Sequence, residues 1–244
     1  VGDDGIYHMY AAEIIGGCGM NVWLSNSRVV HATSPDPTTI PFTFGGVVQG
    51  VFAHEPIARR APTGEYVVWY TAVLPPARVP VKGGVECRGC TAGRSPASCG
   101  TDSNRNASTP LPTYMVWSKT PNGPWSAPAM VPGTDVFADS NFAPVILPNG
   151  SLVALTRGTV VHALDWRDVG GYTTVNRWAD RGEDPYVYLD KRGVFHNIVH
   201  VGRALTHGLH YWSVDGLTWT PSAGWAYNAT LSFSDAEPVT LGCR

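Results

Sequence analysis

The sequence predicts an all-β fold assembled from repeated four-stranded units, a β-propeller. Three observations lead there. A phrase made of a proline, a short strand, a turn glycine and a second strand recurs along the 244 residues. A second hairpin with its own shared wording follows the copies. The copies are also spaced by about the length of one propeller blade.

The phrase reads "HEPIARRAPTGEYVVWYT" at Pro56 and Gly64, "NFAPVILPNGSLVALTR" at Pro144 and Gly150, and "EDPYVYLDKRGVFHNIVH" at Pro185 and Gly193. Period-two alternation and aromatic or β-branched residues between turn signals mark the strands. A further copy opens at Pro238 ("DAEPVTL"). The first copy, "VGDDGIYHMYAAEI", shows the Asp4-Gly5 turn and second strand without the proline strand before it. The companion hairpins repeat too. "RVVHATSPDP" and "TVVHALDWRD" share Val-Val-His-Ala, while "VWSKTPNGPW" and "YWSVDGLTW" share Trp-Ser, a glycine turn and a tryptophan (Trp125, Trp219). Each unit is therefore a proline strand, a central strand and an outer hairpin.

The prolines are 88, 41 and 53 residues apart. The long interval holds a segment, 75–112, with three cysteines, six prolines and five glycines; removing its 38 residues leaves 50. The expectation is a single propeller domain over 1–244 with a loop insertion at 75–112. About four blades are legible, the first lacking its innermost strand and the last only begun. Because an open ring leaves sheet edges unpaired, the chain reads as a piece of a longer polypeptide. No capped stretch of ten or more residues carries helical periodicity.

Composition narrows the function classes. A net charge of −2 offers no electrostatic case for nucleic acid or an anionic membrane. The longest apolar run, Val67 to Leu74 broken by Thr71, is too short to cross a bilayer as a helix. Three N-glycosylation patterns stand at Asn106, Asn149 and Asn228. With Cys18, Cys87, Cys90, Cys99 and Cys243 in loop-like sequence, they point to a secreted or cell-surface glycoprotein with disulfides. Five cysteines leave at least one unpaired within the chain, available to another extracellular chain. A zinc reading of Cys87-x-x-Cys90 with Cys99 is weaker than disulfides in this setting, so no metal and no cofactor is expected.

Acids cluster before the repeat prolines: Glu55, Glu183 with Asp184, and Glu237. If each blade's first strand opens toward one central funnel, acids from different blades converge there. Glycosidic bond hydrolysis needs such convergence, one carboxyl giving a proton and one ionised carboxylate activating water or attacking. The bland alternative is that these acids cap turns.

The phrases resemble those of the five-bladed propeller glycosidases, glycoside hydrolase families 43 and 32 and their relatives. "EDPYVYLDKRGVFHNIVH" is similar to the family 43 phrase Glu-Gly-Pro, strand, Gly, aromatic strand, and "SKTPNGPW" to its Gly-Pro-Trp hairpin. The resemblance implies five blades and three axial carboxylates: a base Asp in the first blade, a tuning Asp in the third and an acid Glu in the fourth. Glu183 stands at the acid's position. Ala143 stands where the tuning Asp belongs, with Asn141 and Asp139 nearby, and the base position falls before Val1. The candidate catalytic residues are thus Glu183, Glu55 and Asp184. Candidate carbohydrate-binding residues are His54, Asn141, Trp69, Arg157 and Glu237, with Trp23 as a further stacking platform. Trp125 and Trp219 fit the packing between blades. His196 and His200, four apart on a strand, are about 13 Å apart and cannot share an ion, so packing or hydrogen bonding suits them. The two functions left standing are a secreted glycoside hydrolase-like propeller and a non-catalytic glycan-binding or structural extracellular propeller.

Overall fold

A computed structural model of the protein describes residues 2, 4–72, 111–134, 140–178, 182–201, 207–228, 230–231 and 239–240. The insertion expected at 75–112, apart from its last two residues, lies outside these, as do Cys243, Asn106, Asp139 and Glu237. The chain divides into two compact units, Val1–Ser140 and Asn141–Arg244. Both are built of antiparallel sheets whose strands follow one another in chain order.

In the first unit, β1 (Tyr7–Ile14), β2 (Ser27–Ser34) and β3 (Thr43–Gln49) form a three-stranded sheet. A short turn, Met20–Val22, and the single-turn helix α1 (Trp23–Asn26) connect β1 to β2. The next sheet is four-stranded: β4 (Ala53–Arg60), β5 (Tyr66–Ala72), β6 (Thr113–Ser118) and β7 (Ala129–Met130). The second unit repeats the plan twice. β8 (Ala143–Ile146), β9 (Leu152–Leu155), β10 (Thr159–Ala163) and β11 (Thr173–Arg177) form one blade. β12 (Glu183–Leu189), β13 (Phe195–Val201), β14 (His207–Ser213) and β15 (Thr220–Tyr227) form the other. A short pair, β16 (Thr230–Leu231) with β17 (Val239–Thr240), follows. This is the β-propeller architecture expected from the phrase repeats. Pro56, Pro144 and Pro185 each lie on the first strand of a blade, where only one side of the ladder needs a backbone donor. Gly64 and Gly193 turn the following hairpins at φ of 97° and 82°.

Burial explains the strand compositions. β9 (Leu-Val-Ala-Leu) is buried on both faces, and β5 nearly so, because central strands are covered from both sides. Trp69 is fully buried in β5. It is core, and the expectation that it offers a face to a ligand is corrected. In the first unit Val29, Val68, Tyr70 and Val116 make one apolar cluster, with Trp125 packed against it. In the second unit Leu155, Val187, Val199 and Tyr211 make another, with Trp219 packed against it. Burying side chains of this size contributes about 1.5–3 kcal/mol each.

Two blades begin with the same distortion. Between His54 and Ile57 in β4, and between Glu183 and Tyr186 in β12, the first strand carries one residue more than its partner. Each is a β-bulge, and the extra length is absorbed by a residue at positive φ: Glu55 at 52° and Asp184 at 51°. In the β8 blade the positive-φ residue is Asn141, at 43°, three positions before Pro144.

A second repeated device runs across the strands. In the first unit, Asp4 Oδ1 lies 3.3 Å from His8 Nε2, and His8 Nδ1 lies 2.9 Å from His31 Nε2, the two rings stacked. In the second unit, Asp190 Oδ2 lies 3.3 Å from His196 Nε2, and His196 Nδ1 lies 2.9 Å from His210 Nε2, again with stacked rings. That line ends at Ser222 Oγ, 2.7 Å from His210 Nδ1. A turn aspartate thus anchors a histidine, on the edge strand β1 or the inner strand β13, and that histidine bonds diagonally to one on the next strand.

Candidate active site

The start of β12 gathers the second unit's polar side chains. Gly182 has no Cβ because one would stand 2.2 Å from Val199 Cγ2 and 2.9 Å from the His200 carbonyl oxygen. That close approach lays Glu183 opposite His200 in the ladder. The bulge then turns Asp184 out of the pleat.

Arg157, in the turn between β9 and β10, ties two of these groups together. Its Nη2 lies 2.7 Å from Glu183 Oε1, and its Nε donates to Asn141 Oδ1. The Asn141 side-chain amide donates to Asp184 Oδ1 at 3.0 Å. Asn141 is nearly buried, whereas Glu183 and Asp184 keep 39% and 53% of their side-chain surface open. The two acids can therefore reach an incoming ligand from a braced base.

On its far side Asp184 faces β13 and β15. His200 Nε2 lies 3.9 Å from Asp184 Oδ2, longer than a hydrogen bond, and the Tyr227 hydroxyl is hydrogen-bonded to His200 Nδ1. Tyr227 is seated by Gly208, its ladder partner on β14, where a Cβ would lie 1.9 Å from the ring. Loss of water on its inner side raises the Asp184 pKa above the ordinary carboxylate value. Glu183 pushes the same way, and His200 and Arg157 pull against it. Burial, with the Asp184 charge adding to it, likewise raises the Tyr227 phenol.

The sequence-derived candidates separate cleanly. Glu183, Asp184, Asn141 and Arg157 come together. The Arg157 guanidinium, expected to grip a ligand, grips the protein's own Glu183 and Asn141. Ala143, at the position where the resemblance asks for an acid, is fully buried, and the amide of Asn141 meets Asp184 instead. In the first unit Glu55 occupies the bulge equivalent to that of Asp184. His54 beside it turns inward: its Nδ1 lies 2.7 Å from Ser27 Oγ, its ring packs on Trp23, and burial lowers its pKa to about 4. Asn149 and Asn228 are exposed, each side-chain oxygen accepting from the backbone two residues on. Tyr227 is the residue that sequence reading missed, and His200, expected to pack or hydrogen-bond, is hydrogen-bonded to it. The hairpin register places His200 opposite Glu183, and that was the available signal. Among the described residues no group of three or more His, Cys, Asp or Glu could hold a metal ion. No helix among them is long and apolar enough to cross a membrane.

No family model matches the chain, and no curated protein matches it by sequence. Solved structures do match in shape. Zg3597, a family 117 glycoside hydrolase of the marine bacterium Zobellia galactanivorans, superposes with a TM-score of 0.62 at 15% identity, over 92% of this chain and 67% of that one. The chain has the fold of the propeller glycoside hydrolases. The family 43 protein BlXynB of Bacillus licheniformis matches at TM-score 0.56 and 14% identity, over 94% of this chain. An exo-β-1,3-galactanase of Clostridium thermocellum matches at 0.54 and 13%, over 92%. This propeller chain spans 42% and 46% of those two proteins.

Proposed function

We propose that this propeller binds a carbohydrate and hydrolyses its glycosidic bond with the carboxyl groups at the start of β12. One observation carries the reading: Glu183 and Asp184, side by side and open to a ligand, are held by different partners, Arg157 and Asn141. The glycoside hydrolase fold of its structural neighbours supports it.

In the reaction, a protonated carboxyl gives its proton to the glycosidic oxygen, and the bond to the anomeric carbon breaks with its electron pair passing to that oxygen. Water adds to the anomeric carbon and loses a proton to an ionised carboxylate. Asp184 suits the donor's part, because its surroundings favour the protonated form. Glu183, accepting from the Arg157 guanidinium, suits the ionised part. This departs from the resemblance, which implies Glu183 as the acid and gives Asp184 no role. Aryl glycosides test it. Asp184→Asn should cut turnover of substrates with poor leaving groups by about 10²–10⁴ and spare those with good ones. Glu183→Gln should impair both, and equal losses in both variants for every leaving group would refute the assignment.

The full burial of Ala143 where an acid is expected favours a second reading, a propeller that binds glycans without cleaving them. Glycan binding by a wild-type protein that hydrolyses none of the bound sugars would establish it. We also infer an extracellular, disulfide-bearing glycoprotein; the exposed asparagines Asn149 and Asn228 of two sequons support its glycosylation. Loss of mass on enzymatic deglycosylation of the native protein checks that inference.

A further inference from the structure

The line Tyr227–His200–Asp184 crosses the β12 blade from its outermost strand to its innermost, and the reaction proposed above makes no use of its outer two members. Tyr227 reaches His200 only because Gly208 leaves room beneath its ring. The rings meet edge to face, 5.6 Å between centroids, so the phenol oxygen lies at the imidazole edge. A phenol that keeps its proton donates to a neutral imidazole nitrogen. If Nδ1 accepts, the remaining imidazole proton sits on Nε2, the atom turned toward Asp184 Oδ2.

We propose that Tyr227 and His200 are positioning residues of the site: the phenol fixes the imidazole tautomer, and the imidazole edge orients and electrostatically steadies the Asp184 carboxyl. This rests on the reading of Asp184 as a working group. The arrangement is that of a carboxyl oriented by a histidine whose own orientation is set by a third group, the second layer that ordered sites need. The groups facing Asp184 divide its control. Asn141 donates to one oxygen, His200 addresses the other, and Arg157 and Glu183 act through charge. His200 acts on the second oxygen from a strand other than the one that carries the acid.

The test uses nuclear magnetic resonance of the whole chain and needs no substrate, so it is independent of whether the protein is a hydrolase. Imidazole nitrogen shifts report the tautomer, and the carboxyl carbon shift reports Asp184 titration. In wild type at neutral pH, His200 should be in the Nε2–H form. Tyr227→Phe should mix the two tautomers. His200→Gln, which keeps a donor but removes the imidazole from Asp184 Oδ2, should move the Asp184 midpoint upward, because the His200 interaction holds it down. Far-ultraviolet dichroism and unfolding midpoints establish that the variants fold. If the His200→Gln variant does not fold, the wild-type tautomer and Tyr227→Phe still decide the matter. An Nδ1–H tautomer in wild type, or an Asp184 midpoint unmoved in a folded His200→Gln, overturns the proposal. Wild-type protein that shows these shifts but hydrolyses no glycoside would instead refute the catalytic reading alone.

Discussion

Acid should weaken the first unit through His54, by an amount that the structure specifies. Its ring packs on Trp23 with Nδ1 at Ser27, and burial lowers its pKa from 6.5 to about 4. In the unfolded chain His54 takes up a proton as pH falls through 6.5; in the native chain it waits until about pH 4. Between these values the unfolded state binds more protons, so stability rises with pH and is lost as pH falls through the window. Each pH unit between the two values is worth about 1.4 kcal/mol, so the loss approaches about 3 kcal/mol at pH 4. His31 and His210, also lowered by burial, act with the same sign. The turn aspartates Asp36 and Asp215, lowered mainly by hydrogen bonds, act only below the ordinary carboxylate range. His54→Asn can retain a polar atom toward Ser27 but does not titrate. Urea unfolding followed by tryptophan fluorescence from pH 7 to pH 4 measures the difference. The variant will be weaker at pH 7, having lost ring packing, but its deficit should shrink, or reverse, by about 2–3 kcal/mol at pH 4. A gap between the two proteins that stays constant with pH would refute the reasoning.

Two further outcomes follow from packing and from the histidine lines. Gly182→Ala must displace Val199 or the His200 carbonyl, and should cost about 1–3 kcal/mol while disturbing the Glu183 register; a lowered urea midpoint together with lost sugar binding checks this. The His196–His210 bond should give a coupling of about 0.5–1.5 kcal/mol in a double-mutant cycle of glutamine substitutions; additive losses would show that the stacked pair contributes no interaction energy of its own.

Much of this fold was legible because prolines and turn glycines constrain backbone angles wherever they occur. Pro56, Pro144 and Pro185 marked the first strands, and their glycines closed the hairpins. Alternation served less well in β5, where a central strand buries both faces, so Trp69 went to the core. The site was half legible. Counting back from each proline located Glu183 and Asp184, but it assumed one offset for every blade. In the β8 blade the left-handed bend comes at Asn141 instead of directly before the proline, so its side chain meets Asp184 while Ala143 is buried. The inward turn of His54 was illegible for a related reason. The bulge at Glu55 separates the orientations of neighbouring residues, and alternation cannot register a bulge.

That bulge also sets backbone preference and side-chain chemistry against each other. Glu55 and Asp184 hold left-handed angles that cost an ordinary residue about 1 kcal/mol or more and cost glycine almost nothing. The glycosidase phrase that this chain resembles has glycine where Asp184 stands. Selection for stability alone would therefore carry both positions toward glycine, erasing two carboxylates. Selection on what those carboxylates do would hold them against that drift, at the expense of the folded state. A variant library sorted first for heat resistance and then for sugar binding would diverge at these two positions, making residues 55 and 184 a readout of which demand prevails.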